Sequence, residues 1–145
     1  MSDKKINLNE LDEGVFLVAT LGVVYDPANK KFLIARRQND PYFEDLKWVF
    51  PGGRPNYGED LEESFENLTN ERTGLKIKSL GPIFSRLFKE DDKLLLIYYL
   101  CEAVGGELKT NGTFTEFKWV SADELESYFT TSFDPRLKEF IMNLR

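Results

Sequence analysis

The sequence predicts a single α/β (α+β) domain, an α/β/α sandwich in which helices cover both faces of a mixed central sheet. Two patterns indicate this fold: strand-like segments lie on both sides of one amphipathic helical segment, and two further helical segments close the chain. Length and composition agree, because 145 residues with 41% hydrophobic content are enough for one compact core and too few for two ordinary domains.

The first predicted elements form a hairpin. Residues 1–14 are polar and charged and are interpreted as a lead-in segment, so the single domain is expected to cover residues 15–145. β-Branched and aromatic residues predict a strand over Val15–Tyr25, and Asp26-Pro27 supplies the turn that ends it. A second strand over Lys31–Arg37 completes the hairpin.

A glycine pair and a helix come next. A short strand over Lys47–Phe50 leads into Gly52 and Gly53. The segment Glu59–Arg72 is predicted to be helical because large side chains recur at intervals of four, three and four residues, at Leu61, Phe65, Leu68 and Arg72. Gly74 then supplies a C-cap.

The second half of the chain contains four predicted strands and two predicted helices. The strands cover residues 75–80, 83–88, 93–103 and 115–120, and Asp91-Asp92 and Gly105-Gly106 mark turns. Ser121, with Glu124 three residues later, predicts a capping box at the start of a helix over Ala122–Phe129. A final helix over Pro135–Leu144 carries its apolar residues on one face.

Composition excludes several function classes. The chain has no histidine, which removes an imidazole base, any histidine-activated nucleophile and every histidine-containing metal site. The net charge of -6 argues against a nucleic acid as partner, because such binding relies on a basic surface. No apolar run reaches the roughly 20 residues that span a bilayer, and no signal peptide is evident. A cytoplasmic protein without a membrane partner is expected.

A small anionic substrate would need local positive charge in such an acidic chain. The candidate cations are Arg36, Arg37, Lys47, Arg54, Arg72, Arg86 and Lys89. The single cysteine, Cys101, lies among strand-forming residues and is expected to fill the core rather than to act as a nucleophile.

The region around the glycine pair resembles a Nudix box, whose family pattern is G-x5-E-x7-R-E-U-x-E-E-x-G-U, with U a bulky aliphatic residue. Five residues separate Gly53 from Glu59, seven more lead to Asn67, and the tail from there is N-L-T-N-E-R-T-G-L. The segment from Trp119 to Leu125 is similar to the strand-to-helix ending of these domains. The resemblance covers about residues 15–144 and implies the Nudix sandwich fold.

The resemblance also implies roles for particular residues. In working Nudix enzymes three glutamates that chelate divalent metal occupy the positions of Leu68, Glu71 and Arg72, and a loop glycine carbonyl can add a ligand. Gly53 and Glu71 are thus the implied remaining metal ligands, and Mg²⁺ or Mn²⁺ is expected to bind weakly, with substrate phosphates completing its shell. Glu71 and Glu116, the latter where many Nudix domains place a loop carboxylate, are the implied catalytic residues.

Substrate-binding roles are implied for the glycine loop and for nearby arginines. Gly52 and Gly53 face the diphosphate in this family, and Arg54 follows them directly. The segments F-P-G-G-R and F-E-N-L-T resemble GDP-mannose mannosyl hydrolase, in which the equivalent of Arg37 lies against the leaving diphosphate. Arg72 admits two interpretations. It replaces the metal as the countercharge of the diphosphate, or it is drift in a protein that works through a different carboxylate.

Three functions are consistent with these residues. The leading hypothesis is a Nudix hydrolase of a nucleoside diphosphate linked to another group, such as the nucleotide sugar GDP-mannose, with atypical metal dependence. The alternative is a non-catalytic module that binds or senses nucleotide diphosphates, and a third is a scaffold for protein contacts.

Aromatic residues that could stack on the base are Tyr42, Phe43, Tyr57 and Phe88. A homodimer is compatible with the resemblance, although no sequence pattern marks an interface.

Overall fold

The computed structural model describes residues 6–38, 40 and 47–144. Its strands are β1 Leu17–Asp26, β2 Lys31–Arg36, β3 Trp48–Val49, β4 Gly52–Gly53, β5 Leu75–Phe88, β6 Asp91–Gly106 and β7 Glu116–Ser121. Its α-helices are α1 Leu61–Thr73, α2 Ala122–Tyr128 and α3 Pro135–Leu144, and Leu8–Glu10 forms a 3-10 turn. Among these described residues, no helix combines the length and the apolar character that a membrane span requires.

The strands form one mixed sheet. Its strand order is β3-β2-β1-β6-β5, while β4 pairs with β1 and β7 pairs with β2. β1 runs parallel to β6, from Leu17 opposite Leu94 to Tyr25 opposite Glu102, and the other pairings are antiparallel. The predicted mixed sheet is therefore confirmed.

The glycine segment lies between two strands that separate. β1 and β2 pair next to their shared turn, where Tyr25 faces Phe32. Farther from the turn, β3 pairs with β2 and β4 pairs with β1. The Gly22 amide of β1 also donates a hydrogen bond to the Pro51 carbonyl at 2.7 Å. Backbone pairing on both sides thus holds the glycine pair at a defined place in the sheet.

Helix α1 covers one face of the sheet, and α2 and α3 cover the other. Phe65 of α1 is fully buried and stacks on Tyr99 of β6, with ring centroids 4.7 Å apart. Gly22 leaves space for the Phe65 ring, since a Cβ at this glycine would lie 2.9 Å from it. On the opposite face, Leu125 of α2 and Leu137 of α3 belong to a second buried cluster. Helices on both faces confirm the predicted α/β/α sandwich.

The hairpin of β5 and β6 differs from the prediction in one place. The two strands predicted over residues 75–80 and 83–88 form a single strand, with register shifts around Pro82. Helix α1 supports this irregular stretch, because the Glu66 carboxylate accepts the Ser79 N–H at 2.9 Å. A bulge supported by a neighbouring helix resembles a turn when only the local sequence is considered.

A second difference concerns the glycines at the end of β6. Gly105 and Gly106, predicted to form a turn, instead pair with Lys76 and Leu75 of β5. A Cβ at Gly106 would lie 2.4 Å from the backbone oxygen of Gly74, so a close backbone contact explains this glycine.

The start of α2 also differs from the capping box that the sequence predicts. Ser121 is the N-cap, but its hydroxyl donates to the Glu124 carboxylate at 3.0 Å and makes no hydrogen bond to a backbone N–H of the helix.

Thr69 and Thr73 of α1 are expected to respond in opposite ways to replacement by valine. Both are fully buried. Within the described residues the Thr69 hydroxyl has no hydrogen-bond partner, whereas the Thr73 hydroxyl donates to the Thr69 carbonyl and accepts the Leu75 N–H. Thr69→Val should raise the free energy of unfolding by about 1 kcal/mol, and Thr73→Val should lower it by about 1 kcal/mol. Urea denaturation tests this pair, and a Thr69→Val protein less stable than the wild type would contradict it.

Candidate functional site

A cavity of about 140 Å³ opens on the sheet face that carries α2 and α3. Alternate residues of two neighbouring strands point into it, as the period of a β-strand requires: Leu17, Ala19 and Leu21 of β1, and Leu94, Leu96 and Tyr98 of β6. The connection between α2 and α3 covers the opposite side. The walls are therefore mainly apolar.

Aromatic rings gather around Phe50 at this cavity. The Phe50 ring centroid lies 5.1 Å from that of Phe129, 6.2 Å from that of Phe133 and 6.0 Å from that of Tyr98. Phe88, one of the predicted stacking residues, is 5% exposed and lines the same cavity. These rings provide flat apolar surfaces of the kind on which a nucleobase can stack.

Positive charge gathers in the cavity, although the whole chain carries a net charge of -6. The charged lining residues in the described part of the chain are Arg37, Arg54, Arg86 and Asp40, so arginines outnumber the carboxylate. Arg37 Nε lies 3.5 Å from the Asp40 carboxylate, which orients its guanidinium. Guanidinium groups beside apolar walls suit a ligand that combines anionic groups with a flat apolar group.

The glycine pair lies directly over the last turns of α1. A Cβ at Gly53 would lie 2.3 Å from Arg72 Nη1 and 2.8 Å from Leu68 Cδ2, so glycine is needed for this close contact. Arg72 is 3% exposed, and its Nη1 donates to the Gly52 carbonyl at 2.9 Å. The Gly53 carbonyl accepts the Thr20 hydroxyl, also at 2.9 Å. Both glycine carbonyls thus accept side-chain hydrogen bonds, and the charge of Arg72 is fixed against the loop.

These residues do not fit the metal cluster that a complete Nudix box would hold. Leu68 offers no oxygen ligand, and the guanidinium of Arg72 would repel a divalent cation beside the Gly52 carbonyl. In residues 6–38, 40 and 47–144, no group of three or more histidine, cysteine, aspartate or glutamate side chains could hold a metal ion. The metal-binding roles of Gly53 and Glu71 stay predictions.

The two predicted catalytic carboxylates are not among the described residues that line the cavity. Glu71 is exposed on α1, and its backbone carbonyl accepts the Asn111 side-chain amide at 2.6 Å. Glu116 is exposed on β7, and its carboxylate lies 3.7 Å from the guanidinium of Arg36, which faces it on β2. The catalytic roles of Glu71 and Glu116 stay predictions.

The predicted substrate-binding residues are brought together more closely. Arg37, Gly52, Gly53 and Arg54 all line the cavity, whereas Arg72 reaches the loop from the α1 side, through the Gly52 carbonyl. Of the other aromatic candidates, Tyr57 is fully exposed, and Tyr42 and Phe43 lie outside the described residues.

Sequence reasoning missed the side of the cavity that the connection between α2 and α3 forms. This connection contributes Phe129, Thr131, Ser132 and Phe133, and Asp40 is a further lining residue that was not predicted. No motif marks these positions. Their one available signal was a pair of phenylalanines flanking a short polar stretch between two helices.

A mixed sheet between helices, with a glycine loop fixed over the central helix beside a cationic cavity, is the architecture of a Nudix-type domain. The family model described as the NUDIX domain matches residues 15–144, and the chain therefore belongs to the Nudix family. This assignment confirms the predicted family and its hydrolase class. A search of curated proteins found no match.

Solved structures share this fold. The chain is 17% identical to a structure of UDP-X diphosphatase, with a TM-score of 0.68 over 92% of this chain and 64% of that one. A MutT protein from Methanosarcina mazei Go1 is 20% identical, with a TM-score of 0.69 over 92% and 96% of the two chains. The E. coli ORF135 protein is 20% identical, with a TM-score of 0.68 over 90% and 91%. At such identities the likeness establishes the fold, and substrates have to be argued from the site.

Proposed function

We propose that this protein is a Nudix hydrolase whose substrate is a nucleoside diphosphate linked to a second group, with a nucleotide sugar such as GDP-mannose as the leading candidate. The observation that carries the proposal is the cavity, because arginines line an aromatic and apolar space in an acidic chain. Arginines suit the phosphates of such a substrate, and the aromatic and apolar walls suit its base or a sugar face. UDP-X diphosphatase, whose fold this chain shares, is by its name an enzyme for a substrate of this type.

Arg37 and Arg54 are proposed to hold the diphosphate. Both line the same cavity as Gly52 and Gly53, where the absence of a side chain lets a phosphate approach the backbone closely. A guanidinium group can donate two parallel hydrogen bonds to phosphate oxygens, and such charge-assisted bonds are stronger than neutral ones. Arg72 would contribute its charge to the same loop through its contact with Gly52.

The proposed metal dependence is atypical. Because the described residues do not form a resident cluster, Mg²⁺ or Mn²⁺ would be bound weakly by the free protein and would enter with the substrate phosphates. Glu71 and Glu116 remain the proposed catalytic carboxylates. Their replacement by glutamine should reduce turnover while leaving nucleotide binding unchanged.

The Arg72 contact favours a second candidate function. A guanidinium fixed on a glycine carbonyl neutralises negative charge but cannot generate hydroxide, which is what a metal-bound water supplies. A module that binds nucleotide diphosphates without hydrolysing them needs the same arginines and apolar walls in its cavity as the hydrolase does. The two functions differ in one measurable result, the release of product.

Binding and turnover of nucleotide diphosphates test the proposal. Calorimetry with UDP-sugars, GDP-mannose and ADP-ribose, in Mg²⁺, Mn²⁺ or EDTA, is expected to show binding by the wild type. Arg37→Met and Arg54→Met should each weaken that binding about tenfold, since a hydrogen bond to a charged group contributes about 1.5–3 kcal/mol. Hydrolysis of the same compounds, measured by chromatographic separation of the nucleoside mono- or diphosphate that is formed, should show turnover that EDTA reduces.

Lys138→Met is the matched control for the loss of one positive charge. Lys138 is exposed, pairs with Glu126 at 2.7 Å and is absent from the described cavity lining, so binding should not change. If no compound binds, the nucleotide proposal is wrong. Binding without turnover in any metal would reject the hydrolase and leave the binding module.

A further inference from the structure

Asp40 is the one carboxylate among the described residues that line the cavity, where the other charged side chains are arginines. Its side chain is only 4% exposed. A charge so far removed from water is stable only where a countercharge or hydrogen-bond donors surround it. Because the cavity is proposed to bind anionic phosphates, a carboxylate in its wall requires an explanation of its own.

Arg37 offsets the charge of Asp40 in the free protein. Arg37 Nε lies 3.5 Å from the Asp40 carboxylate, and the two residues are three positions apart in the chain. The backbone of Arg37 is fixed just beyond the end of β2, because its N–H donates to the Lys47 carbonyl at 2.6 Å. The cation of this ion pair also lines the cavity, so a bound anion competes with Asp40 for it.

A bound diphosphate would change the surroundings of Asp40. If Arg37 holds the phosphates as proposed, its positive charge is shared between the phosphate oxygens and the carboxylate. Phosphate oxygens are acceptors and cannot replace the lost countercharge, and two anionic groups in one cavity repel each other. A ligand is therefore favoured when it brings hydrogen-bond donors to Asp40 together with its diphosphate.

Sugar hydroxyls are donors of the required kind. Each hydroxyl donates one hydrogen bond, and a carboxylate accepts through two oxygens, so neighbouring hydroxyls of a sugar suit it. Acidic side chains bind a ribose hydroxyl in dinucleotide-binding folds in the same way. A divalent cation carried by the phosphates is the other group that could reach Asp40. The guanidinium of Arg37, 3.5 Å from the carboxylate, would repel that cation, so a neutral donor is favoured.

We infer that Asp40 is a specificity-determining residue that accepts hydrogen bonds from the hydroxyls of a sugar attached to the diphosphate. This inference rests on the proposed function and adds a requirement for sugar hydroxyls to it. The hydroxyls can come from the ribose of the nucleoside or from the linked sugar, since the two sources offer the same chemistry. A site that accepts a hydrogen bond from a substrate hydroxyl rejects an analogue without it, because the buried acceptor is then left without its donor.

The test uses calorimetry in EDTA to compare GDP-mannose with two analogues that keep the charge of its diphosphate. The 2′,3′-dideoxyribose analogue of GDP-mannose lacks the ribose hydroxyls, and the methyl ester of GDP at the terminal phosphate lacks the mannose. The wild type should bind one of them about tenfold more weakly than GDP-mannose, as the loss of a hydrogen bond to a charged group predicts, and that analogue identifies the sugar. Asp40→Ala should weaken the binding of GDP-mannose about tenfold and leave the binding of that analogue unchanged.

Two further variants complete the test. Asp40→Asn keeps the size of the side chain and loses its charge, so it should reduce the same preference, and it serves if the alanine variant does not fold. Glu126→Ala is the matched control, because it removes a carboxylate that pairs with Lys138 at 2.7 Å and is absent from the described cavity lining, so the preference should remain.

Three results would overturn the inference. If Asp40→Ala weakens GDP-mannose and both analogues equally, Asp40 only orients Arg37. If the wild type binds all three compounds equally in EDTA and discriminates between them only in Mg²⁺, the partner of Asp40 is a cation. If Glu126→Ala removes the preference as well, the effect is one of overall charge. A wild type that binds none of the three compounds would instead reject the proposed function itself.

Discussion

Gly52→Ala is expected to destabilise the protein by about 3 kcal/mol, at the upper end of the range for overpacking. A Cβ at Gly52 would lie 2.0 Å from the Thr20 carbonyl oxygen and 3.0 Å from the Leu21 Cα. Both atoms belong to the backbone of β1, which is the pairing partner of β4, so no flexible side chain can move aside. The φ angle of 152° adds strain for any residue with a side chain. Denaturation by urea measures the loss.

Alanine variants of two other glycines separate the steric clash from the φ strain as causes of the lost stability. Gly58 has a φ of 79° and open space around its Cβ position, so Gly58→Ala measures conformational strain alone and should cost about 1 kcal/mol. Gly53→Ala would collide with the side-chain ends of Arg72 and Leu68 rather than with backbone, and its loss of stability should fall between those of the other two variants. If Gly52→Ala were no less stable than Gly58→Ala, the loop could not be held by β1 as described.

The double variant Leu68→Glu/Arg72→Glu is expected to convert the loop into a Mg²⁺ site. Together with Glu71 it would restore three carboxylates at spacings of three and four residues under the Gly52 and Gly53 carbonyls. Without metal, burying these carboxylates should lower the free energy of unfolding by about 3 kcal/mol. Saturating Mg²⁺ should recover about 2.7 kcal/mol when its concentration is 100 times the Kd.

Thermal unfolding with and without Mg²⁺ measures this gain. The wild type should show no shift in Tm on addition of Mg²⁺, because Arg72 is fixed on the Gly52 carbonyl. Leu68→Gln/Arg72→Gln is the matched control, since it introduces polar side chains of similar shape without carboxylates. A double glutamate variant that folds but gains no response to Mg²⁺ would show that the family's metal position is not at this loop.

Most of the elements could be predicted because their signals act over a few residues. Strand-forming residues over Val15–Tyr25 and the helical spacing over Glu59–Arg72 both appear in the structure, with small shifts in their ends. The failures arose where a distant partner decides the conformation. Ser79, at the irregular part of β5, is bound by carboxylates of α1, and Gly106 is required by close contact with Gly74.

The candidate site could be predicted only in part. The spacing of the Nudix box located Gly52, Gly53 and Arg72, because a family pattern records positions even when the side chains have changed. It did not reveal that the Arg72 guanidinium binds the Gly52 carbonyl, since that contact joins residues 20 positions apart. The same pattern directed attention to Glu71, which is not among the described residues that line the cavity.

The sequence by itself determined the family, the sandwich fold and the loss of the metal-binding carboxylates at Leu68 and Arg72. The tertiary structure alone decided where charge is placed. Ser132 meets Arg86 and Glu90 across 46 and 42 residues of chain, and Arg37 and Arg54 face one cavity from different strand ends. The physical reason is range: periodicity and turn chemistry act between near neighbours, whereas the position of a buried or bound charge depends on every element that surrounds it.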